Sequence, residues 1–344
     1  MRITKVPFAE VAADLARPQP INFNTSFHSR DEATDLVDDD DDDENEPSEA
    51  PYSFKRWLPL ILRSRGLRPA DVQVVSLSRP QAKLLLEAME ASAQLGHVNR
   101  LYREDLDDAV AAPALSGIVF PPGGLFARLD ACSPKDGAQT RPGERAIRSV
   151  DDLLTRLVTS GRARSAVRKI LQEDGGGGGG GVQLYLLPFD ARMSSAREYR
   201  VFCPPPGGGG GGGAEEQAHH RISAISQYQW HKPWLFAERG AAEQQEAARA
   251  IWEGCRAVHA MIVADLSAHG DDDNHDMDLL LRRQGFSFDV LYDDASVGGG
   301  GGRCELVELN GFGARSSCGS CLFQWVRDRE VLYSRTGTTF KVTW

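Results

Sequence analysis

Three uninterrupted runs of glycine constrain the fold of this chain more than any other feature of its sequence. They occupy residues 175–181, 207–213 and 298–302. Glycine has no side chain to bury, and a uniform run of it has the composition of a flexible linker. A phosphate-binding loop needs glycines at set positions together with a lysine and a serine or threonine, which none of these runs has. We therefore interpret all three runs as spacers between folded elements.

The second and third glycine runs each separate two segments that have the character of β-strands. Residues 198–203 and 221–226 flank the second run, and residues 286–292 and 304–309 flank the third. Successive strands pair readily in antiparallel fashion, and a long loop costs little because closure entropy grows only logarithmically with length. The pattern predicts two antiparallel hairpins in the second half of the chain.

Most of the net charge comes from one short acidic block. The chain of 344 residues has a formal net charge of −10, and nine negative charges lie between residues 38 and 49. The rest of the chain is close to neutral and has no basic stripe, so we expect no direct nucleic-acid partner. The block is typical of a solvated, disordered spacer, and contact with a basic partner is the alternative interpretation.

The sequence shows no sign of a membrane or secretory destination. No apolar run reaches the roughly 18 residues that a membrane-spanning helix needs. The first residues include a basic side chain or two, but no apolar segment follows them as it would in a secretory signal. We therefore expect a cytoplasmic protein with no membrane partner.

The cysteines do not indicate a disulfide framework or a zinc site. Six cysteines are spread over the whole chain, which is too sparse for a disulfide scaffold. Cys318 and Cys321 form a single CxxC motif without a second pair or a nearby histidine, whereas a zinc site needs about four ligands. We expect buried or free thiols, and we assign no role to the histidines.

Periodicity divides the chain into an extension and two lobes. Residues 1–50 are polar and lack sustained periodicity, so we predict a disordered acidic extension that adds little to stability. Residues 51–180 form a predicted N-terminal lobe, and residues 181–344 form a predicted C-terminal lobe. The predicted elements of the first lobe are a helix over 52–62, a strand over 72–77, a helix beginning at Ser78, strands over 118–120 and 125–129, and a helix after Ser149.

The third glycine run joins the two strands that carry the most informative polar side chains. Alternation places the Asp289 side chain on the face of its strand opposite to that of Phe288 and Val290. It places Glu308 and Asn310 on one face of the next strand. If the strands pair, the two carboxylates and the amide oxygen share a surface. Such oxygens are the ligands that magnesium prefers, with phosphates and water completing the shell. The alternative is an ordinary polar face of a half-exposed sheet.

Positive side chains project from other predicted strands. Arg128 and Arg200 lie within strands, and Lys135 follows a Ser-Pro turn. Cations beside a carboxylate–metal centre can neutralise a triphosphate, although each alone is more often a surface charge. Residues 182–188 form an apolar strand that is either a core strand or one whose end hydrogen-bonds an adenine.

Several of these segments, taken in order, resemble the cell division cycle protein 123 family. The resemblance covers about residues 52–330. The segments that carry it are Trp57-Leu58-Pro59, Leu125-Phe126-Ala127-Arg128-Leu129, Ser133-Pro134-Lys135-Asp136, Glu198-Tyr199-Arg200-Val201-Phe202, Ala224-Ile225-Ser226-Gln227, Phe288-Asp289-Val290 and Glu308-Leu309-Asn310-Gly311-Phe312-Gly313. No single piece is specific, but their order and spacing together are.

The resemblance implies an α+β fold of the ATP-grasp kind, in which two lobes with antiparallel sheets enclose a nucleotide cleft. The nucleotide and metal site would lie in the C-terminal lobe. The resemblance also implies a cell-cycle role as a chaperone-like assembly factor for eukaryotic translation initiation factor 2, with the gamma subunit as partner. ATP and Mg²⁺ are the implied cofactors. The implied magnesium ligands are Asp289, Glu308 and Asn310. The full set of implied cofactor-binding residues is Arg128, Lys135, Asp136, Leu186, Leu187, Arg200, Asp289, Glu308 and Asn310.

Departures from the family pattern leave two alternative interpretations open. The family usually has lysine in place of Arg128, aspartate in place of Glu308 and proline in place of Gly311. These changes indicate a divergent member. One alternative is an ATP-grasp carboxylate–amine ligase acting on a protein or a small molecule, although no residue is an evident acceptor-site base. The other is a site that no longer binds nucleotide.

Overall fold

The computed structural model describes residues 1–29, 31–33, 47–173, 181–206, 220–268, 274–294 and 302–344. Most of the acidic block and of the three glycine runs lies outside these residues, so the predictions made for them stay predictions. Among the described residues, no helix is both long and apolar enough to cross a membrane.

Nine strands and nine α-helices, together with four short 3₁₀-helices and a π-helix (Asp107–Leu115), make up the regular structure of the described ranges. The strands are β1 (Arg2–Val6), β2 (Gln73–Leu77), β3 (Leu125–Leu129), β4 (Val182–Pro188), β5 (Glu198–Cys203), β6 (Ala224–Gln227), β7 (Phe286–Asp293), β8 (Arg303–Gly311) and β9 (Thr339–Thr343). The helices are α1 (Phe8–Leu15), α2 (Phe54–Arg65), α3 (Arg79–Ser92), α4 (Arg103–Leu106), α5 (Val150–Val158), α6 (Gly161–Glu173), α7 (Ala241–Ala268), α8 (His275–Gln284) and α9 (Arg329–Leu332). The α+β prediction is confirmed.

The chain divides into two compact units whose boundaries differ from the predicted lobes. The larger unit combines Met1–Gly66 with Arg192–Trp344, and the smaller unit is Leu67–Ala191. Residues 47–66 belong to the larger unit because α2 packs on β8, where Ser64 Oγ accepts a hydrogen bond from the N–H of Leu306 at 3.0 Å. Strand β4 belongs to the smaller unit because it pairs with both β2 and β3.

The smaller unit is built on a three-stranded antiparallel sheet in the order β2-β4-β3. Ser78 and Gln81 form a capping box at the start of α3, and Ser149 Oγ accepts the N–H of Asp152 at the start of α5. The predicted strand over 118–120 is wrong. Val119 instead exchanges two hydrogen bonds with the side chain of Gln73, both at 2.8 Å.

The larger unit contains a six-stranded sheet in the order β1-β9-β6-β5-β7-β8. The hairpin partners β5–β6 and β7–β8 pair in antiparallel fashion, as the glycine runs predict. The sheet as a whole is mixed and not antiparallel, because β9 runs parallel to both β1 and β6. Crossover connections between distant segments produce this parallel pairing.

The N-terminal residues are part of this larger unit. Strand β1 pairs with β9 from Arg2 to Val6, and Val6, Val11 and Phe23 are buried in one cluster with Leu322. The prediction that residues 1–50 lie outside the fold is therefore wrong for residues 2–28. Their apolar side chains are too few to show periodicity, and their partners lie some 300 residues away in sequence.

Helix α7 places a histidine against the sheet, and this gives a pH-dependent stability. His259 stacks on Phe286 and Phe288, with ring centroids 6.2 and 6.4 Å apart. Burial, with a smaller effect from the charge of His220, lowers the pKa of His259 to about 4. The imidazole is neutral in the folded state, whereas the unfolded chain takes up a proton near pH 6.5.

We expect the contribution of His259 to the free energy of unfolding to be fully present above pH 6.5. This free energy should then fall, by up to about 3 kcal/mol, as the pH approaches 4. Urea denaturation between pH 5 and 7.5 measures the effect. His259→Phe keeps an aromatic ring without the titration and should flatten this part of the profile. Equal slopes in the two proteins would contradict the assignment.

Candidate functional site

The polar side chains predicted to share one face of the larger sheet do so. Asp289 of β7 lies opposite Glu308 of β8, and Ser287 lies opposite Asn310. Directly opposed residues of an antiparallel pair point to the same face. The amide of Asn310 also donates a hydrogen bond to Asp289 Oδ2 at 3.4 Å. The two carboxylates and the amide therefore form one polar group on this face.

A β-bulge in β8 adjusts this arrangement. Asp289 opposes Glu308, but the next residue, Val290, opposes Leu306, so Val307 is an extra residue without a register partner. Alternation alone places Val307 on the same face as Leu309, whereas the bulge gives that place to Leu306. Bulges redirect side chains in this way and are frequent near functional sites.

Asp289 is held by a buried arginine. Arg200 of β5 lies opposite Asp289 and binds it with two parallel hydrogen bonds, Nε to Oδ1 at 2.8 Å and Nη2 to Oδ2 at 2.7 Å. Asp289 is 1% exposed and Arg200 7% exposed. Burial alone lowers the pKa of Arg200, but the charge and hydrogen bonds of Asp289 outweigh it and raise this pKa well above its ordinary value. Arg200 therefore stays ionised.

The CxxC motif lies in the loop that covers this pair. The Gly319 carbonyl accepts the remaining described hydrogen bond of Arg200, from Nη1 at 2.7 Å. Cys318 and Cys321 are buried, free thiols. Burial raises their pKa values to about 11 and about 12, so both are protonated at neutral pH. The prediction of buried thiols is confirmed.

The donor set suits magnesium better than a transition metal. Across the described ranges, no group of three or more His, Cys, Asp or Glu side chains is arranged to hold a metal ion. Asp289 and Glu308 supply two carboxylates, and Asn310 adds an amide on the same face. Asp289 already accepts two hydrogen bonds from Arg200 and one from Asn310, which orient its carboxylate. These hard oxygen donors fit magnesium when a ligand's phosphate groups supply the other positions.

The other predicted site residues belong to the smaller unit. Arg128 of β3 is buried and lies opposite Tyr185. Its Nε donates to the Leu129 carbonyl at 3.1 Å, and its Nη2 donates to the Asp130 carbonyl at 3.3 Å. The guanidinium therefore binds carbonyl groups at the end of its own strand, β3.

Leu186 and Leu187 point to opposite faces of β4. Leu186 is part of the hydrophobic core, whereas Leu187 lies opposite Phe126 on the other face. Pairing with β2 stops at Leu186, and β4 continues to Pro188 paired with β3 alone. The backbone of Leu187 therefore lies beyond the ladder that β2 forms.

Asp136 caps a helix. Its carboxylate accepts hydrogen bonds from Ser160 Oγ at 2.5 Å and from the N–H of Arg162 at 3.1 Å, at the start of α6. Although burial opposes ionisation, these bonds lower the pKa of Asp136. The sequence analysis missed this role because Asp136 and α6 are separated by α5. The neighbouring Lys135 is exposed.

The fold has a known counterpart. No family model and no curated protein matches the sequence. Two solved structures are similar to the chain, Cdc123 from Schizosaccharomyces pombe and a C-terminally truncated form of it. Each has a TM-score of 0.50 and 15% sequence identity, covering 85% of this chain and 95% of the other. The chain has the Cdc123 fold.

Within this Cdc123 fold, the register shows site residues that the sequence analysis did not identify. Ser226 of β6 lies opposite Arg200, and Lys341 of β9 lies opposite Ser226. A polar row therefore crosses the sheet through Lys341, Ser226, Arg200, Asp289 and Glu308. The alternation of Phe340, Lys341 and Val342 signals a strand with a polar face, but not its parallel pairing with β6.

Proposed function

We propose that this chain is a cytoplasmic, ATP- and magnesium-binding assembly factor of the Cdc123 kind, acting on eukaryotic translation initiation factor 2 through its gamma subunit. The observation that carries the proposal is the row of Arg200, Asp289 and Glu308 on one face of the sheet, in a chain that has the Cdc123 fold. The sequence motifs that resemble the family include all three residues.

Asp289, Glu308 and Asn310 are the residues that would hold magnesium. The two carboxylates supply negative charge and the amide supplies a neutral oxygen, which suits a cation shared with a polyphosphate. When bound, magnesium would neutralise charge on the phosphate groups. Arg200 orients Asp289 through its two hydrogen bonds.

The smaller unit contains the other residues that the family resemblance implies for nucleotide binding. Arg128 and Lys135 would add positive charge for the phosphate groups. The backbone of Leu187, beyond the end of the β2 ladder, would contact the adenine. Leu186 would contribute through its backbone alone, because its side chain is in the core. Asp136 would act by fixing the start of α6 near Lys135.

Calorimetry with Mg-ATP tests the nucleotide site. We expect the native chain to bind, and Glu308→Ala to weaken the magnesium-dependent affinity about tenfold or more with the fold retained, because Glu308 is only half-buried. Glu305→Gln is a matched control. Glu305 is a carboxylate of the same strand, but it binds Arg192 and Arg303. No binding to the native chain, or equal loss in both variants, would contradict the proposal.

A second arm tests the partner. Immobilised chain with Mg-ATP should retain purified gamma subunit of initiation factor 2, with little ATP turnover. Failure to retain it, while the same chain binds Mg-ATP, would leave a nucleotide-binding protein with a different partner. Release of ADP only when a carboxylate and an amine are supplied would favour the ligase alternative.

A further inference from the structure

The N-terminal residues 22–28, which we name the strap, pair with the loop that covers the Arg200–Asp289 pair. This loop, residues 314–321, follows β8 and contains the CxxC motif. Backbone hydrogen bonds join the two segments along their length: Asn24 N–H to Cys321 O at 2.7 Å, Ser320 N–H to Thr25 O at 3.1 Å, Phe27 N–H to Ser316 O at 3.1 Å and His28 N–H to Ala314 O at 2.9 Å. The strap is thus an integral part of the larger unit.

The beginning of the strap is fixed by a buried carboxylate. Asp14 of α1 is 1% exposed and accepts hydrogen bonds from the N–H groups of Asn22 at 3.0 Å and Phe23 at 3.3 Å. The Phe23 side chain is buried beside Leu322. The hydrogen bonds to Asp14 and the packing of Phe23 against Leu322 together fix the position of the strap relative to the loop.

Asn24 is the strap residue that meets the centre of the loop. Its φ of 51° lies in the left-handed region, which asparagine tolerates better than most residues. Its Oδ1 accepts the N–H of Cys321 at 3.1 Å. Gly319 approaches so closely that a Cβ atom there would overlap Asn24 Oδ1. A Cβ atom at residue 319 would therefore have to displace the Asn24 side chain.

The other side of Gly319 faces the candidate site. Its carbonyl accepts the 2.7 Å hydrogen bond from Arg200 Nη1, and Arg200 holds both oxygens of Asp289. Contact thus runs without interruption from Asn24 through Gly319 and Arg200 to Asp289. We infer that Asn24 is a positioning residue for the candidate site, acting through Gly319 on the Arg200–Asp289 pair.

The physical reason is the fixed geometry of the guanidinium. Arg200 uses two nitrogens on Asp289 and the third on Gly319, so its plane is determined by three acceptors. If Gly319 shifts, the plane is free to rotate and Asp289 is no longer held in one orientation. A metal-binding carboxylate depends on such outer contacts for its orientation.

The NMR signal of the Arg200 Nε–H group tests this inference without nucleotide. The full chain is labelled with ¹⁵N-arginine, and the signal is assigned by its loss in Arg200→Lys. We expect Asn24→Gly, which keeps the left-handed backbone accessible, to speed solvent exchange of this group about tenfold. Asn24→Asp retains an acceptor oxygen and should restore slow exchange. Gly319→Ala, which displaces Asn24 from the other side, should match Asn24→Gly.

Asn99→Ala is the matched control, because it removes an amide that caps a helical turn in the smaller unit. Slow exchange in Asn24→Gly, or equally fast exchange in Asn99→Ala, would overturn the inference. A second readout, the Mg-ATP affinity, rests on the proposed function and should weaken about tenfold in Asn24→Gly and recover in Asn24→Asp. If the native chain binds no Mg-ATP, the proposed function fails while the exchange comparison still decides the role of Asn24.

Discussion

Replacing Asp289 with alanine is expected to lower the free energy of unfolding by about 3–5 kcal/mol, because it leaves the Arg200 guanidinium buried without its carboxylate. Both hydrogen bonds between these side chains are short, and neither residue reaches solvent to a useful extent. Chemical denaturation followed by circular dichroism measures the change. A loss below about 1 kcal/mol would show that the Arg200 guanidinium left in the variant moves into contact with water.

A double variant separates the cost of the unpaired charge from the value of the pair. Arg200→Met combined with Asp289→Leu removes both charges and keeps apolar volume, and we expect it to recover most of the lost stability. Arg200→Met alone should be as destabilising as Asp289→Ala, since it leaves the carboxylate buried. For this reason Glu308, and not Asp289, is the better residue for testing magnesium binding in a folded protein.

Deletion of residues 1–33 is the second change with a large expected effect. It removes β1 from the edge of the sheet and the buried side chains of Val6, Val11 and Phe23. Complete burial of such a side chain stabilises a fold by roughly 1.5–3 kcal/mol, so we expect a loss of about 5 kcal/mol or failure to fold. Thermal unfolding and the yield of monomeric protein measure it.

The control for this deletion is removal of residues 34–46, which contain most of the acidic block. The sequence predicts a spacer there, and we expect the free energy of unfolding to change by less than about 1 kcal/mol. Equal effects of the two deletions would contradict the prediction that the acidic block is a spacer, in contrast to the packed residues 2–28.

Elements with a strong local pattern were predictable from the sequence. The apolar stretch of α2, the alternation of β7 and β8, and the capping serines of α3 and α5 all depend on residues close together in the chain. Strand β1 and its parallel partner β9 were not predictable, because neither has more than five residues and each gains its stability from the other.

Only the strand faces on which the candidate-site residues lie were predictable from the sequence. Alternation was sufficient to place Asp289, Glu308 and Asn310 on one surface. The ion pair between Asp289 and Arg200 depends on the lateral order of β5 and β7, which no local pattern encodes. The bulge at Val307 and the contact between Asn24 and Gly319 depend in the same way on non-local packing.

The pairing of β1 with β9 also sets the order in which the two units can form during synthesis. The smaller unit is one continuous segment, Leu67–Ala191, and can fold as soon as that segment has left the ribosome. Strand β1 is made first, but the residues it pairs with, Thr339 to Thr343, are made more than 300 residues later. At about 5–20 residues per second, β1 waits on the order of tens of seconds for its partner. During that interval the apolar side chains around the strap remain exposed, so nascent chains of this protein should depend on ribosome-associated chaperones more than the purified, refolded protein does.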